Sequence, residues 1–239
     1  MAAAIPANSP PHGRCIGLVG GLGPESAVHY YRGLERAHSE AGAAADVVIV
    51  NADRVRVQAC MAGANLPGLA SYLAGIITRL RAAGAELAAI PAVTPHACLG
   101  LLGNMTDVPL VSIIDTTREA LLGLKLRRVA LFGTRYTVNS DMFGNLAGFE
   151  VVRPGEEEIE AVHGIYMAVV EAGEGTSAQM DRLSRIAHRL LGKDGVESIV
   201  VAGTDFSPLF ARGTVNYPFV DCSEHHIRRI AALSLAGSV

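Results

Sequence analysis

Several short segments of this chain carry residues able to hold an anion and to move a proton. Gly20-Gly21-Leu22-Gly23-Pro24-Glu25-Ser26 follows an apolar run. Its glycines, Gly21 and Gly23 among them, let a small anion approach the backbone at a helix N-terminus. A tight strand-to-helix turn with Pro24 near the first helical position accounts for the same residues. The spacing is not the GxGxxG dinucleotide fingerprint and no P-loop lysine follows, which argues against a nucleotide. In Gly133-Thr134-Arg135-Tyr136-Thr137-Val138-Asn139-Ser140, the hydroxyls of Thr134, Thr137 and Ser140 stand at helical spacing beside free N–H groups. That arrangement suits a carboxylate, with helix capping as the competing use. Thr94 and Thr204 end two further apolar runs, and Asn51 ends another. Arg54 and Arg56, just beyond Asn51, are the natural charge partners of an anionic substrate. Among titratable groups, His96 can serve as general acid or base near neutral pH, or can cap its helix. Asp205 can orient a substrate or accept a proton.

The elements that position these residues follow from hydrophobic pattern. Short β-branched runs alternate with longer amphipathic stretches, the βαβα signature of parallel sheets covered by helices. Strands are predicted at 15–19, 47–50, 87–91, 110–112, 129–132, 150–152, 197–202 and 219–221. Helices are predicted at 25–39, 66–83, 95–103, 115–124, 137–147, 156–172, 178–191 and 224–235. Gly84 and Gly192 each follow basic residues and match helix C-termini. The two halves also echo one another. LVGGLGPES resembles LFGTRYTVNS, AIPAVTPH faces VVAGTDF, and Pro109-Leu-Val-Ser resembles Pro218-Phe-Val-Asp, all at an offset of about 110 residues. The expected fold is therefore α/β, with two pseudo-symmetric lobes, each a parallel sheet flanked by helices, and a ligand cleft between them. The expected division is a flexible tail at 1–14, a first lobe of 15–112 plus 215–239, and a second lobe of 113–214.

Composition narrows the partners. The 239 residues are 50% hydrophobic and carry a net charge of −3, without the basic excess of a nucleic-acid binder. No apolar run is long enough to span a bilayer, and the first fourteen residues lack the apolar stretch of a signal peptide. Cys15, Cys60, Cys98 and Cys222 are scattered without CxxC spacing, which fits a reducing cytoplasm and no structural zinc.

The chain resembles the aspartate/glutamate racemase superfamily (Asp/Glu/hydantoin racemase-like) over almost its whole length after the tail. IGLVGGLGPESAVHYY is similar to the family's IGxxGGMGPxAT or GGMSWEST start. RAAGAELAAIPAVTPH resembles AGADxIxxPCNTxH, VALFGTRYT resembles the second-lobe GTxxT segment, and SIVVAGTDF resembles IxxGCTE. The resemblance implies a cofactor-independent enzyme of two duplicated lobes that acts on a small amino acid or carboxylate, with no metal. It also implies a site at Ala92, Val93 and Thr94 in one lobe and Gly203, Thr204 and Asp205 in the other. His163, opening HGIYMAV, falls where a basic substrate-binding residue often sits.

The departures lie where the chemistry belongs. Both family cysteine positions are vacant of thiol, with Ala92 at the first and Gly203 at the second; Val93 replaces an asparagine and Asp205 a glutamate. Two-base racemisation needs a group on each face of the α-carbon, and neither Ala nor Gly can titrate. The four cysteines elsewhere read as small apolar residues. The expectation is an atypical member using one-sided acid/base or electrostatic catalysis (a lyase, decarboxylase, cyclase or isomerase), with His96, Asp205 and Thr94 as catalytic candidates. The alternatives are a non-catalytic carboxylate-binding protein and a racemase using non-thiol bases. The run Glu156-Glu157-Glu158 suggests a partly cationic ligand. A homodimer is compatible with the modest charge; neither nucleic acid nor membrane is an expected partner.

Overall fold

A computed structural model describes residues 12–143, 148–212 and 215–236. In chain order the elements are β1 (Ile16–Gly20), α1 (Pro24–Glu40), β2 (Val47–Asn51), α2 (Arg54–Ala62), α3 (Leu66–Ala82) and β3 (Leu87–Ala89). A 3₁₀ turn at Thr94–Cys98 leads into α4 (Leu99–Gly103), β4 (Leu110–Val111), α5 (Ile113–Gly123), β5 (Arg128–Gly133), α6 (Arg135–Asn139) and β6 (Glu150–Val152). The remainder comprises α7 (Glu156–Ala172), α8 (Ser177–Lys193), β7 (Ser198–Ala202), a 3₁₀ turn at Thr204–Phe206, α9 (Ser207–Arg212), β8 (Phe219–Asp221) and α10 (Cys222–Leu235).

Two four-stranded parallel sheets form, ordered β2-β1-β3-β4 and β6-β5-β7-β8, so the halves share one topology. Strand alternation fills both faces of each sheet. Val129 and Leu131 point to one apolar cluster while Ala130 and Phe132 point to the opposite one; Ile199 and Val201 alternate with Val200 and Ala202 in the same way. In the first sheet Leu87 and Ala89 face α1 and α10, and Ala88 and Ile90 face α3.

The two lobes exchange helices. Ile113 and Leu121 of α5, which follows the first sheet, pack on β5 and β7 of the second. Ile227, Ile230 and Ala231 of α10, which follows the second sheet, pack on Ile16, Leu18 and Tyr30 of the first lobe. The expected lobe division is corrected at β8, which pairs with β7 and so belongs to the second sheet; only its helix returns to the first lobe.

Four other expectations change. Residues 12–14 are tied down rather than free: the Arg14 backbone N–H and guanidinium donate to the Ser234 and Leu233 carbonyls, and His12 bridges Ala44. The rest of the predicted tail lies outside the described residues. The helix expected at 137–147 begins at Arg135, where Thr134 caps it, and ends at Asn139, because Ser140 turns extended; positions 144–147 of it are outside the described residues. Gly192 lies inside α8, and Gly195, at φ 63°, supplies the left-handed residue after it. Finally, α2 and α9 form where no helix was expected. Asp53 initiates α2 by accepting from the Val55 and Arg56 backbone N–H groups.

Candidate active site

Parallel strands deliver their C-terminal loops to one edge of each sheet. The loops after β1 and β3 meet those after β5 and β7 across a cleft of about 430 Å³. The first lobe lines it with Leu22, with Arg54, Val57, Gln58 and Met61 from α2, and with Ala92, Val93, Thr94 and Pro95. The second lobe adds Thr134, then His163, Tyr166, Met167 and Val170 from α7, and Asp205.

Hydroxyls join the lobes at the floor of the cleft. Thr94 Oγ1 lies 3.1 Å from Thr134 Oγ1 and 3.4 Å from Thr137 Oγ1, and the last two are 3.0 Å apart. Thr204 Oγ1 and Ser26 Oγ both donate to the Pro91 carbonyl, at 3.1 and 2.7 Å. Thr137 and Thr204 are fully buried, so they brace the loops while Thr94 and Thr134 line the cleft.

Asp205 reaches across from the second lobe to the start of α1. The helix has no side-chain cap of its own at Gly23. The Ser26 backbone N–H and the Tyr166 hydroxyl hold the Asp205 charge, against burial, which pushes the carboxyl up. Tyr166 donates to Asp205 Oδ2 at 3.0 Å, whereas Oδ1 is buried with no partner in hydrogen-bond geometry. A Cβ at Gly23 would stand 2.1 Å from Asp205 Oδ1. The glycine loop therefore admits the chain's own carboxylate. Gly21, at φ 78°, turns against the Ala52 carbonyl; neither it nor Gly23 lines the cleft.

Gly203 is equally constrained. A Cβ there would lie 2.5 Å from Tyr166 Cε2 and 2.9 Å from Cδ2. The phenol ring occupies the space that any side chain at this position would need. Tyr166 was not among the sequence candidates. Its only sequence signal is the spacing of His163, Tyr166, Met167 and Val170, which puts all four on one face of α7.

Several candidates are corrected. His96 does not line the cleft: its Nδ1 donates to the Ala92 carbonyl at 2.8 Å and its Nε2 accepts from the Ile113 N–H at 3.3 Å. Burial pushes its pKa down to about 4, so the ring is neutral and structural. Asn51 is exposed beside Gly20 and outside the cleft, and Arg56 stacks on Tyr72, 4.2 Å from the ring centroid. The glutamate run does not face the cleft, since Glu158 pairs with Arg189 and caps α7 at Gly155. The structure thus removes the support for a cationic ligand. His163 does line the cleft; its Nδ1 is buried without a partner, and burial lowers its pKa, with Arg135 adding to the effect.

None of the four cysteines lines the cleft. Cys15, Cys98 and Cys222 are buried, and the Cys98 thiol donates to the Pro95 carbonyl. Among the described residues, no group of three or more His, Cys, Asp or Glu is placed to hold a metal. Nor is any helix among them long and apolar enough to cross a membrane.

Two matched α/β lobes with strand-end loops facing across a cleft define a small-molecule site of the two-lobed racemase type. The family model for Asp/Glu/hydantoin racemases matches residues 19–230, and the chain belongs to that family. Solved structures agree on the fold. A Yersinia pestis protein assigned to the Asp/Glu racemases superposes with a TM-score of 0.81 at 24% identity, covering 93% of this chain and 99% of that one. An aspartate racemase homologue from Pyrococcus horikoshii OT3 gives 0.78 at 28% identity, covering 92% and 99%. Allantoin racemase from Pseudomonas fluorescens gives 0.56 at 15% identity, covering 93% and 92%.

Proposed function

We propose that this chain is a cofactor-independent enzyme that binds a small carboxylate and handles a proton on one face of it only. The observation that carries this reading is the asymmetry of the cleft. Its acid/base groups, His163, Tyr166 and Asp205, all come from the second lobe; the only charged group from the first lobe among the lining residues is the Arg54 guanidinium. Ala92 and Val93 face the ligand with nothing that titrates.

Arg54 and the Thr94 and Thr134 hydroxyls hold the carboxylate. On the Ala92 side the bond that breaks must need no base and must leave its electron pair on carbon, as a carbon–carboxylate bond does when CO₂ departs. The electron pair left on carbon takes the proton from the Tyr166 hydroxyl. Asp205 Oδ2, the acceptor of the Tyr166 hydroxyl, holds the phenol in place; water returns the proton to the phenolate oxygen, and the hydroxide formed leaves with the released CO₂ as bicarbonate. Decarboxylase and other lyase reactions that leave an electron pair on carbon meet this requirement.

The test is incubation of both enantiomers of aspartate and glutamate in D₂O, followed by NMR and chiral chromatography, beside a panel of small carboxylates. The expected result is no α-deuteration and no opposite enantiomer, with any product bearing one deuterium in a single configuration. Deuterium entry accompanied by the opposite enantiomer would establish racemisation through non-thiol bases and overturn the reading. Binding without turnover across the panel would make the chain a carboxylate-binding protein.

A further inference from the structure

Resting on the carboxylate reading above, we infer that the ligand is a monocarboxylate whose side group is apolar, branched aliphatic or aromatic, and not a second carboxylate. Two helices, one from each lobe, lay residues along the cleft at the same i, i+3, i+4, i+7 spacing. On α2 the stripe runs from Arg54 through Val57 and Gln58 to Met61, and on α7 from His163 through Tyr166 and Met167 to Val170. Past Arg54 the α2 stripe carries no charge: Val57 and Met61 are apolar and Gln58 is neutral. At 1.5 Å per residue, Arg54 and Met61 are separated by about 10 Å along the axis, room for one carboxylate and one medium side group.

Charge supports the same assignment. Arg54 is the one fixed cation among the cleft's lining residues, and no carboxylate lies within ion-pair distance of it among the described residues. The neighbouring cation, Arg135, is paired with Glu160 at 2.6 Å. A second ligand carboxylate would meet Leu22, Met61, Met167 and Val170 with only the neutral Gln58 amide and the His163 ring, whose pKa burial lowers, to answer it, and would lie near the buried Asp205; both effects are unfavourable. Leu22, Met61 and Met167 are only half-buried where they line the cleft. An apolar group would cover them, and the unbranched methionines can adapt to its shape.

The experiment is calorimetric titration of the full chain with phenylacetate, 4-methylpentanoate, acetate, succinate and L-aspartate. Phenylacetate and 4-methylpentanoate are expected to bind at least tenfold more tightly than succinate or L-aspartate. Met61→Gln and Met167→Gln should each weaken the two apolar probes three- to tenfold while leaving acetate unchanged. Arg54→Gln should weaken every probe at least tenfold. Succinate or L-aspartate binding as tightly as phenylacetate overturns this inference and leaves the one-face reaction standing. Binding of apolar probes that is indifferent to Met61→Gln and Met167→Gln overturns it too. Failure of every probe, acetate included, overturns the carboxylate reading itself, and racemisation in D₂O overturns the one-face reaction alone.

Discussion

Adding one methyl group at Gly203 tests the packing on which the proposed proton donor depends. Gly203 has φ −148° and ψ 109°, a conformation open to any residue, so Gly203→Ala introduces no backbone strain. The penalty is wholly steric: the new Cβ would meet Tyr166 Cε2 at 2.5 Å. The ring packs edge-on against Phe206, whose ring centroid lies 5.0 Å away, and yielding to the new methyl moves its hydroxyl off Asp205. Overpacking of this kind costs about 1–3 kcal/mol, and a lost hydrogen bond to a carboxylate about 1.5–3 kcal/mol. Gly203→Ala should therefore destabilise by about 3–5 kcal/mol. Tyr166→Ala alone should cost about 3–5 kcal/mol through its cavity. In the double variant the added methyl fills vacated space, so the double should be about as stable as Tyr166→Ala, a coupling of about 3–5 kcal/mol. Urea unfolding followed by far-UV circular dichroism on the four proteins measures this. Additivity within about 0.5 kcal/mol, or a Gly203→Ala cost below about 1 kcal/mol, would refute the reasoning.

Two further outcomes follow from buried titratable groups. His226, bonded to the Tyr30 hydroxyl and the Val111 carbonyl, is pushed down to about 3 by burial and by His96, itself at about 4. Both are depressed below the unfolded 6.5, so their contribution is complete above pH 6.5 and is lost as pH falls towards the folded values. At pH 5 each should have cost about 2 kcal/mol relative to pH 8, partly offset by Asp205 and Asp221, whose raised carboxyls relax on protonation. Urea unfolding at pH 8 and pH 5 checks this, and unchanged stability would refute it. Burial also pushes Cys15 and Cys98 up to about 11 and Cys222 well above its ordinary value. Iodoacetamide at pH 7.5 should then label the native protein at no more than the half-buried Cys60, and all four thiols in guanidinium, as read by mass spectrometry. Rapid native labelling of Cys98 would contradict the structure.

The eight strands among the described residues were legible from β-branched runs: Ser198-Ile199-Val200-Val201 is buried on both faces of its sheet, and the edge strand Val47-Val48-Ile49-Val50 carries the same residue types. The helix predicted at 156–172 forms over the same residues, started by Gly155 and three glutamates in its first turn. By contrast, α2 was missed because the face it shows to the cleft mixes Arg54, Gln58, Val57 and Met61, which breaks the apolar stripe that marks a core helix. The Asp53 cap was the available signal. At the site, the loops after β1, β3, β5 and β7 were identifiable from glycines and threonines, but the direction of individual side chains was not. His96 looked like an acid/base group because its type and local spacing allow it. What removes it is a pair of bonds to Ala92 and Ile113, one of them long-range in sequence. Tyr166 was invisible for the complementary reason, since its partners Gly203 and Asp205 lie more than thirty residues further along.

The exchanged helices bear on how such a site could work. Because α5 packs on the second sheet and α10 on the first, opening the cleft would pull each lobe's last helix off the other lobe's core. The Pro91 carbonyl, shared by Ser26 and Thr204, and Asp205 at the first turn of α1 add polar ties across the same boundary. For the proposed reaction, a cleft held this way would offer fixed dipoles and hold the proposed proton donor without reorganisation, the condition under which electrostatic catalysis is strongest. It also explains how one wall can lack a titrating group while the cleft keeps its shape. Duplication supplies two loop sets that brace one another mechanically, so Ala92 can be chemically silent provided that Thr94, Pro91 and the neighbouring backbone keep holding Thr134, Thr204 and Asp205 in place.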